Sequence, residues 1–200
     1  MYIPSHFKIT DHEFIYNFIQ ENGFASFISM STGEPVATHL PLMLDEKKEY
    51  LQGHLARPNP QWKDLSGQKV LAIFQGPHCY ISPSWYETDR SVPTWNYVAV
   101  HVYGTVKLMD GTELTESLIE LVKKYEAPDS SYQIDNVDPG FLEGMTKGVV
   151  GFKVRIDRIE GKAKLSQNHS SERKQRVIDE LEKVDREDER QIASYMKKLL

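Results

Sequence analysis

The chain has 200 residues, 40% of them hydrophobic and 26% charged, and its 24 Lys+Arg against 29 Asp+Glu leave a net charge of −5. That length suits one domain, or one domain with an appendage. The acidic balance argues against a protein that coats DNA or RNA, which needs a basic surface. The single cysteine, Cys79, excludes an internal disulfide framework and a CxxC metal site, and it fits a reducing cytosol. The opening residues Met1, Tyr2, Ile3, Pro4, Ser5 and His6 are not a charged start followed by an apolar stretch, so no signal peptide is expected. No run reaches the ~18 apolar residues of a membrane span. A cytoplasmic protein with no membrane partner is therefore expected.

The spacing of Phe14, Ile15, Phe18 and Ile19 predicts a helix from Thr10 or Asp11 to about Asn22, ended by Gly23. Strands follow over 24–30 and 36–44. In the second, Val36, Thr38, Leu40, Leu42 and Leu44 share one face, and Pro41 marks an edge or a bulge. A polar hairpin tip at 45–48 leads to a strand over 50–56. Asn59 and Pro60 then read as the N-cap and first turn of a short helix. Strands are predicted over 69–75 and 79–82 around a turn at Gly76-Pro77. A loop over 83–93 precedes the longest strand, 94–109. In it Asn96, Val98, Val100 and Val102 face a core, and Trp95, Tyr97, His101 and Tyr103 face the other way.

A helix capped by Thr112 is expected to reach Tyr125, with a second, short helix after Asp138-Pro139 and a strand over 149–159. The stretch 162–168 reads as a polar connector. Two helices complete the chain, the first capped by Ser170 or Ser171, with basic and acidic residues balanced. The sum is six or seven largely antiparallel strands with peripheral helices, a mainly β, α+β architecture. The expected division is a barrel domain over 1–161 and a helical extension over 162–200 packed on it.

The sequence has no GxxxxGK[ST], GxGxxG, HExxH or GxSxG motif, and its histidines are not at metal-ligand spacing. No catalytic residue and no metal site is assigned. Cys79 reads as a buried, inert thiol, because no base lies beside it. Two neighbouring strands carry His39 and His54, and the second runs into Arg57 and the helix start at Asn59. A guanidinium beside unpaired amides is a site for a phosphate, and an apolar strand rim beside it suits a flavin mononucleotide. The same residues also read as an Asx-Pro helix start with a surface arginine. Trp95, Tyr97, His101 and Tyr103 require a cover, from a subunit partner, a planar ligand or a second core layer. Lys162, Lys164, Arg173, Lys174 and Arg176 form a basic cluster that could meet an anion or stand as a solvated connector.

Taken together, several segments resemble the PaiB family of FMN-binding split-barrel flavoproteins. They are the start from Met1 to Phe7, the run Ala37-Thr38-His39-Leu40-Pro41-Leu42, and the run from Gly53 to Trp62. They continue through the run from Phe74 to Tyr86, Val92-Pro93-Thr94-Trp95-Asn96-Tyr97, and the run from Lys162 to Asn168. The resemblance implies a six-stranded antiparallel split barrel, a homodimer, and FMN at the subunit interface. It also implies a negative transcriptional regulator, a repressor of degradative-enzyme production and sporulation. On that basis Arg57 and the amides after Asn59 would hold the phosphate. Thr38, His39, His54, Leu55 and Ala56 would line the ring and ribityl chain, and Trp62, Trp95, Asn96 and Tyr97 would close the site. An FMN-dependent oxidoreductase and a haem-binding split barrel are the alternatives. Direct DNA contact is open, since neither charge nor a helix-turn-helix argues for it.

Overall fold

The structure, a computed structural model, describes residues 1–199, Pro139 by its backbone alone. In chain order the elements are β1 (Lys8–Ile9), α1 (His12–Glu21), β2 (Phe24–Ser31), β3 (Glu34–Pro41), β4 (Met43–Leu44) and β5 (Tyr50–Ala56). Then come β6 (Lys69–Ile81), β7 (Thr94–Met109), α2 (Gly111–Tyr125), α3 (Pro139–Lys147), β8 (Val149–Lys164), α4 (Ser171–Leu181) and α5 (Glu187–Lys197). Four 3-10 turns, Ser5–Phe7, Pro60–Asp64, Pro83–Trp85 and Ile134–Asn136, link them.

Local chemistry sets most of these boundaries. Asp11 accepts hydrogen bonds from the amides of Glu13 and Phe14 at 2.9 and 3.2 Å and so starts α1. Thr32 and Gly33 both take positive φ, 51° and 85°, the geometry of a tight hairpin turn whose twist matches the flanking strands. That turn fixes the β2–β3 register with Ser31 opposite Glu34. Asp45 closes the next hairpin by accepting from the amides of Glu49 and Tyr50, both at 2.8 Å. Asp138 caps α3 through the amide of Phe141 at 2.9 Å, and Ser170 caps α4 through that of Arg173 at 3.2 Å.

The sheet has eight strands, not the expected six, in the order β3-β2-β6-β7-β8-β5-β4, with β1 added on β8. This hydrogen-bonded path is open, yet its two ends are joined through Leu42 alone, which is fully buried. A sheet whose first and last strands are one residue apart in sequence has to curl, and the barrel is interrupted at that residue. Pro41, which cannot donate a ladder hydrogen bond, is tolerated because β3 is an edge strand.

Three boundaries differ from those expected. Gly76 and Pro77 do not turn the chain; β6 runs through both as one strand, since proline's fixed φ is compatible with extended backbone. Asp110, not Thr112, is the N-cap of α2, and Gly111 after it takes φ 53°, a left-handed geometry that glycine tolerates. The polar run after Gly161 stays in strand as far as Lys164.

The chain divides into two compact units. One comprises residues 19–73 and 102–159, the other 1–18, 74–101 and 160 onward. In the first, Phe27 and Phe152 stack with ring centroids 4.6 Å apart, and Leu42, Leu51, Leu55 and Val154 complete a solvent-free core. Such burial is the main stabilising term, ~1.5–3 kcal/mol per large side chain. In the second, α4 and α5 bury Val177, Ile178, Leu181, Ile192 and Met196. There the fully buried Asn96 donates to the Ser166 hydroxyl at 3.1 Å and to the Met196 sulfur at 3.5 Å. Cys79 is buried, and burial pushes its thiol up to about 12, so it stays protonated and inert.

Candidate functional site

The first unit brings the segment from Thr38 to Trp62 together. Asn59 is the N-cap expected: its Oδ1 accepts from the Gln61 amide at 3.0 Å. Its Nδ2 donates to the Thr38 hydroxyl at 3.0 Å, and that hydroxyl donates to Gln61 Oε1 at 2.6 Å. Gln61 is 1% exposed. Its amide Nε2 donates to the Ser29 hydroxyl at 2.9 Å and to the Val36 carbonyl at 3.3 Å. Buried polar groups of this kind hold a loop in one geometry because leaving any of them unpaired is costly. The helix start is thus satisfied from within, and the 3-10 turn after it spans only five residues. Its amides are a weaker anion site than the sequence suggested.

Arg57 is fixed as firmly. Its Nε donates to the Lys147 carbonyl and its Nη2 to the Val149 carbonyl, both at 2.7 Å. Its backbone amide donates to the Gly148 carbonyl at 2.9 Å, and its carbonyl accepts from Trp62 Nε1 at 2.9 Å. A guanidinium carries five N–H groups, so three remain for a ligand, on an orientation set by the first two. Arg57 and Trp62 line an open cleft of about 830 Å³ whose other walls are the end of β7 with the start of α2 (Leu108 to Thr115) and α3 with its flank (Leu142 to Val150).

The remaining residues fall into groups. His54 is half-buried and pairs across β5–β8 with Gly151. Burial holds its imidazole below the usual 6.5, so it is neutral at pH 7, with one donor and one acceptor nitrogen. Ala56 is exposed at the end of β5, whereas Leu55 is 2% exposed and faces the core, leaving only its backbone to a ligand. Thr38 and His39 lie on opposite faces of β3: His39 meets the Ser26 hydroxyl at 3.1 Å and stacks near Phe24. Trp95, Asn96 and Tyr97 belong to the other unit. There Trp95 is 53% exposed and sits against Tyr80 and His78. Asn96 is a core residue, and Tyr97 carries the Lys162 ammonium over its ring at 5.2 Å. Gln61 and the α2–α3 walls of the cleft were not foreseen. A buried glutamine has no sequence signature beside an Asn-Pro cap, and the cleft joins segments about fifty residues apart.

The state of His54 has a measurable consequence. A histidine held neutral in the fold but free to protonate when unfolded leaves stability intact above about pH 6.5 and erodes it as the pH falls below that value. Burial lowers His101 and His169 as well, so their contributions have the same sign. Urea midpoints should be level between about pH 7 and 8 and fall below about pH 6.5. His54→Gln should reduce that slope, and an unchanged slope would show that His54 protonates freely in the folded chain.

Residues 1–158 match a family model described as "Putative FMN-binding domain". The chain is 43% identical over 200 residues to the Protease synthase and sporulation protein PAI 2 of Bacillus subtilis, spanning 98% of this chain and 96% of that protein. Among solved structures it is similar to the FAD and heme binding protein of Mycobacterium smegmatis, with TM-score 0.64 and 13% identity, covering 84% of this chain and 78% of that one. It is also similar to the flavocytochrome Anf3 of Azotobacter vinelandii, with TM-score 0.61 and 15% identity, covering 78% and 69%. At these identities the two structures establish the shared fold.

Proposed function

The chain belongs to the PaiB family of FMN-binding split-barrel proteins, with FMN as its cofactor, and from that premise we propose that it is a cytoplasmic, homodimeric regulator that lowers protease production and sporulation when it carries its flavin. The observation that carries this is the 43% identity to PAI 2, which runs through 98% of the chain and so includes the residues around the cleft.

The donor set fits a flavin mononucleotide. Arg57 offers a preset edge of three N–H groups to a phosphate, and charge-assisted bonds of this type are among the stronger ones. His54 offers a neutral imidazole, able both to donate and to accept. Trp62, held by the Arg57 carbonyl, and Ala56 offer flat apolar surface beside the guanidinium. Thr38 and Asn59 act behind them, keeping the loop at one geometry through Gln61. Bound flavin supplies redox chemistry; the protein residues bind and orient it. In the other unit, exposed Trp95 and Tyr80, which meet edge to face, offer an apolar surface suited to a second copy of the chain. With a net charge of −5, the regulator acts more readily through a protein partner or metabolite than by wrapping DNA.

Expression of the chain in a sporulating Bacillus subtilis strain lacking PAI 2 tests this. Secreted protease activity and spore counts should fall, and Arg57→Ala should restore them. No change with the parent chain would refute the regulatory role. If NAD(P)H bleached the bound flavin and a substrate then reoxidised it, the protein would be an oxidoreductase instead.

A further inference from the structure

The second unit contains a cavity separate from the Arg57 cleft. It measures about 270 Å³ and is lined by residues 91–94, by Asn96, by Lys164, Ser166, Asn168 and His169, and by Tyr86 and Phe7. Tyr86 is only 8% exposed, yet its hydroxyl has no hydrogen-bond partner among the described residues. A buried phenol left unpaired is costly. Lys164 also lines the cavity; its ammonium donates to the Thr94 hydroxyl and, at 2.7 Å, to the Trp95 carbonyl. No carboxylate of the described residues lies within ion-pair distance of it. Lys162, two residues earlier on the same face of β8, is 8% exposed and likewise has only neutral partners, the Tyr2 carbonyl and the Tyr2 and Tyr97 rings.

Buried cations are normally matched by an anion, because an uncompensated buried charge is strongly unfavourable. Here Lys162, which is buried, and Lys164, which is half-buried, face one side of a strand without one. Other donors converge at the cavity. Ser166 is held at φ 64° and is 3% exposed, and Asn96 bonds it. Arg173 lies over the Tyr86 ring, 4.7 Å from its centroid, and is itself paired with Glu87 at 2.5 Å. That pair orients the phenol and leaves its hydroxyl as the open donor. Burial raises the Tyr86 phenol, so it keeps its proton and can donate it to a hydrogen bond.

We propose that the cavity bounded by Tyr86, Thr94, Lys164, Ser166 and His169 is a binding site for a small oxyanion, the phosphate or carboxylate group of a metabolite, with Lys164 as its counter-charge and the Tyr86 hydroxyl as its directed donor. Pockets for drug-sized ligands run from ~300 to ~1,000 Å³. The cavity is below that range, which admits a compact anion and excludes a whole flavin nucleotide. The site depends on no feature of the Arg57 cleft.

Calorimetric titration of the FMN-loaded full chain with inorganic phosphate, and separately with malonate, tests the site. At least one should bind saturably, and which one binds separates a phosphate from a carboxylate ligand. Lys164→Gln should weaken that binding at least tenfold. Tyr86→Phe, which keeps the ring and its contact with Arg173, should weaken it severalfold, and it serves if Lys164→Gln fails to fold. Arg57→Ala should bind the probe like the parent, which separates this site from the flavin site. Saturation by neither probe, or parental binding in Tyr86→Phe, overturns the proposal.

Discussion

Arg57→Ala is expected to bind FMN about 10- to 100-fold more weakly than the parent, a loss of ~1.5–3 kcal/mol, the usual worth of a hydrogen bond to a charged group. Two of its N–H groups are already committed to the Lys147 and Val149 carbonyls. These set the direction of the rest, so the ligand need not order a flexible side chain. Arg57→Lys should recover only part of the affinity, because a lysine ammonium has no fixed fork. Riboflavin, which lacks the phosphate, should bind parent and Arg57→Ala alike. Fluorescence titration of all three proteins with both flavins checks this. If the alanine variant lost riboflavin and FMN equally, Arg57 would be supporting the loop rather than binding the phosphate. Thermal melting of the flavin-free proteins reads out any loss of that support separately.

A large effect on stability is expected from Gly104→Ala. Gly104 lies in β7 against the backbone of β8 at Arg155. A methyl group there would collide with the Arg155 carbonyl oxygen and sit 2.5 Å from Val154 Cγ1. Backbone cannot move aside as a flexible side chain can, so the strands would have to separate. Overpacking of this kind costs about 1–3 kcal/mol and sometimes more, and a backbone collision belongs at the upper end. Phe152→Ala, which deletes one of the two stacked rings, should be comparable at about 3–5 kcal/mol. Urea denaturation checks both. A Gly104→Ala midpoint within experimental error of the parent would show that the two strands are not so closely apposed.

These two positions show what the sequence made legible. The strand periodicity around Val98, Val100 and Val102, the Asn59 cap and the inert Cys79 were all readable, since each depends on residues close in sequence. Eight strands in place of six could not be counted from pattern alone. β1 and β4 have two residues each, too few for any alternation to register. Gly76-Pro77 misled because a turn dipeptide is also compatible with extended chain. At the site, Arg57 and Trp62 were identified by residue type, and the structure does place them at one cleft. The commitments of Asn59 and Thr38 to Gln61 were invisible, because they depend on where a glutamine amide lands relative to β2 and β3. That the Leu55 side chain faces the core was not legible, because in a strand half the residues face inward and which half is settled by the opposite strand. The orphaned Tyr86 hydroxyl needs three distant segments to be seen at all.

The most direct measurement is the visible spectrum of the protein as first purified, followed by chromatography of whatever small molecule heat denaturation releases. A flavin absorption band, with FMN released in a ratio approaching one per chain, is the predicted result. A colourless protein that stays colourless after incubation with FMN would contradict it, as would a haem Soret band in place of the flavin spectrum.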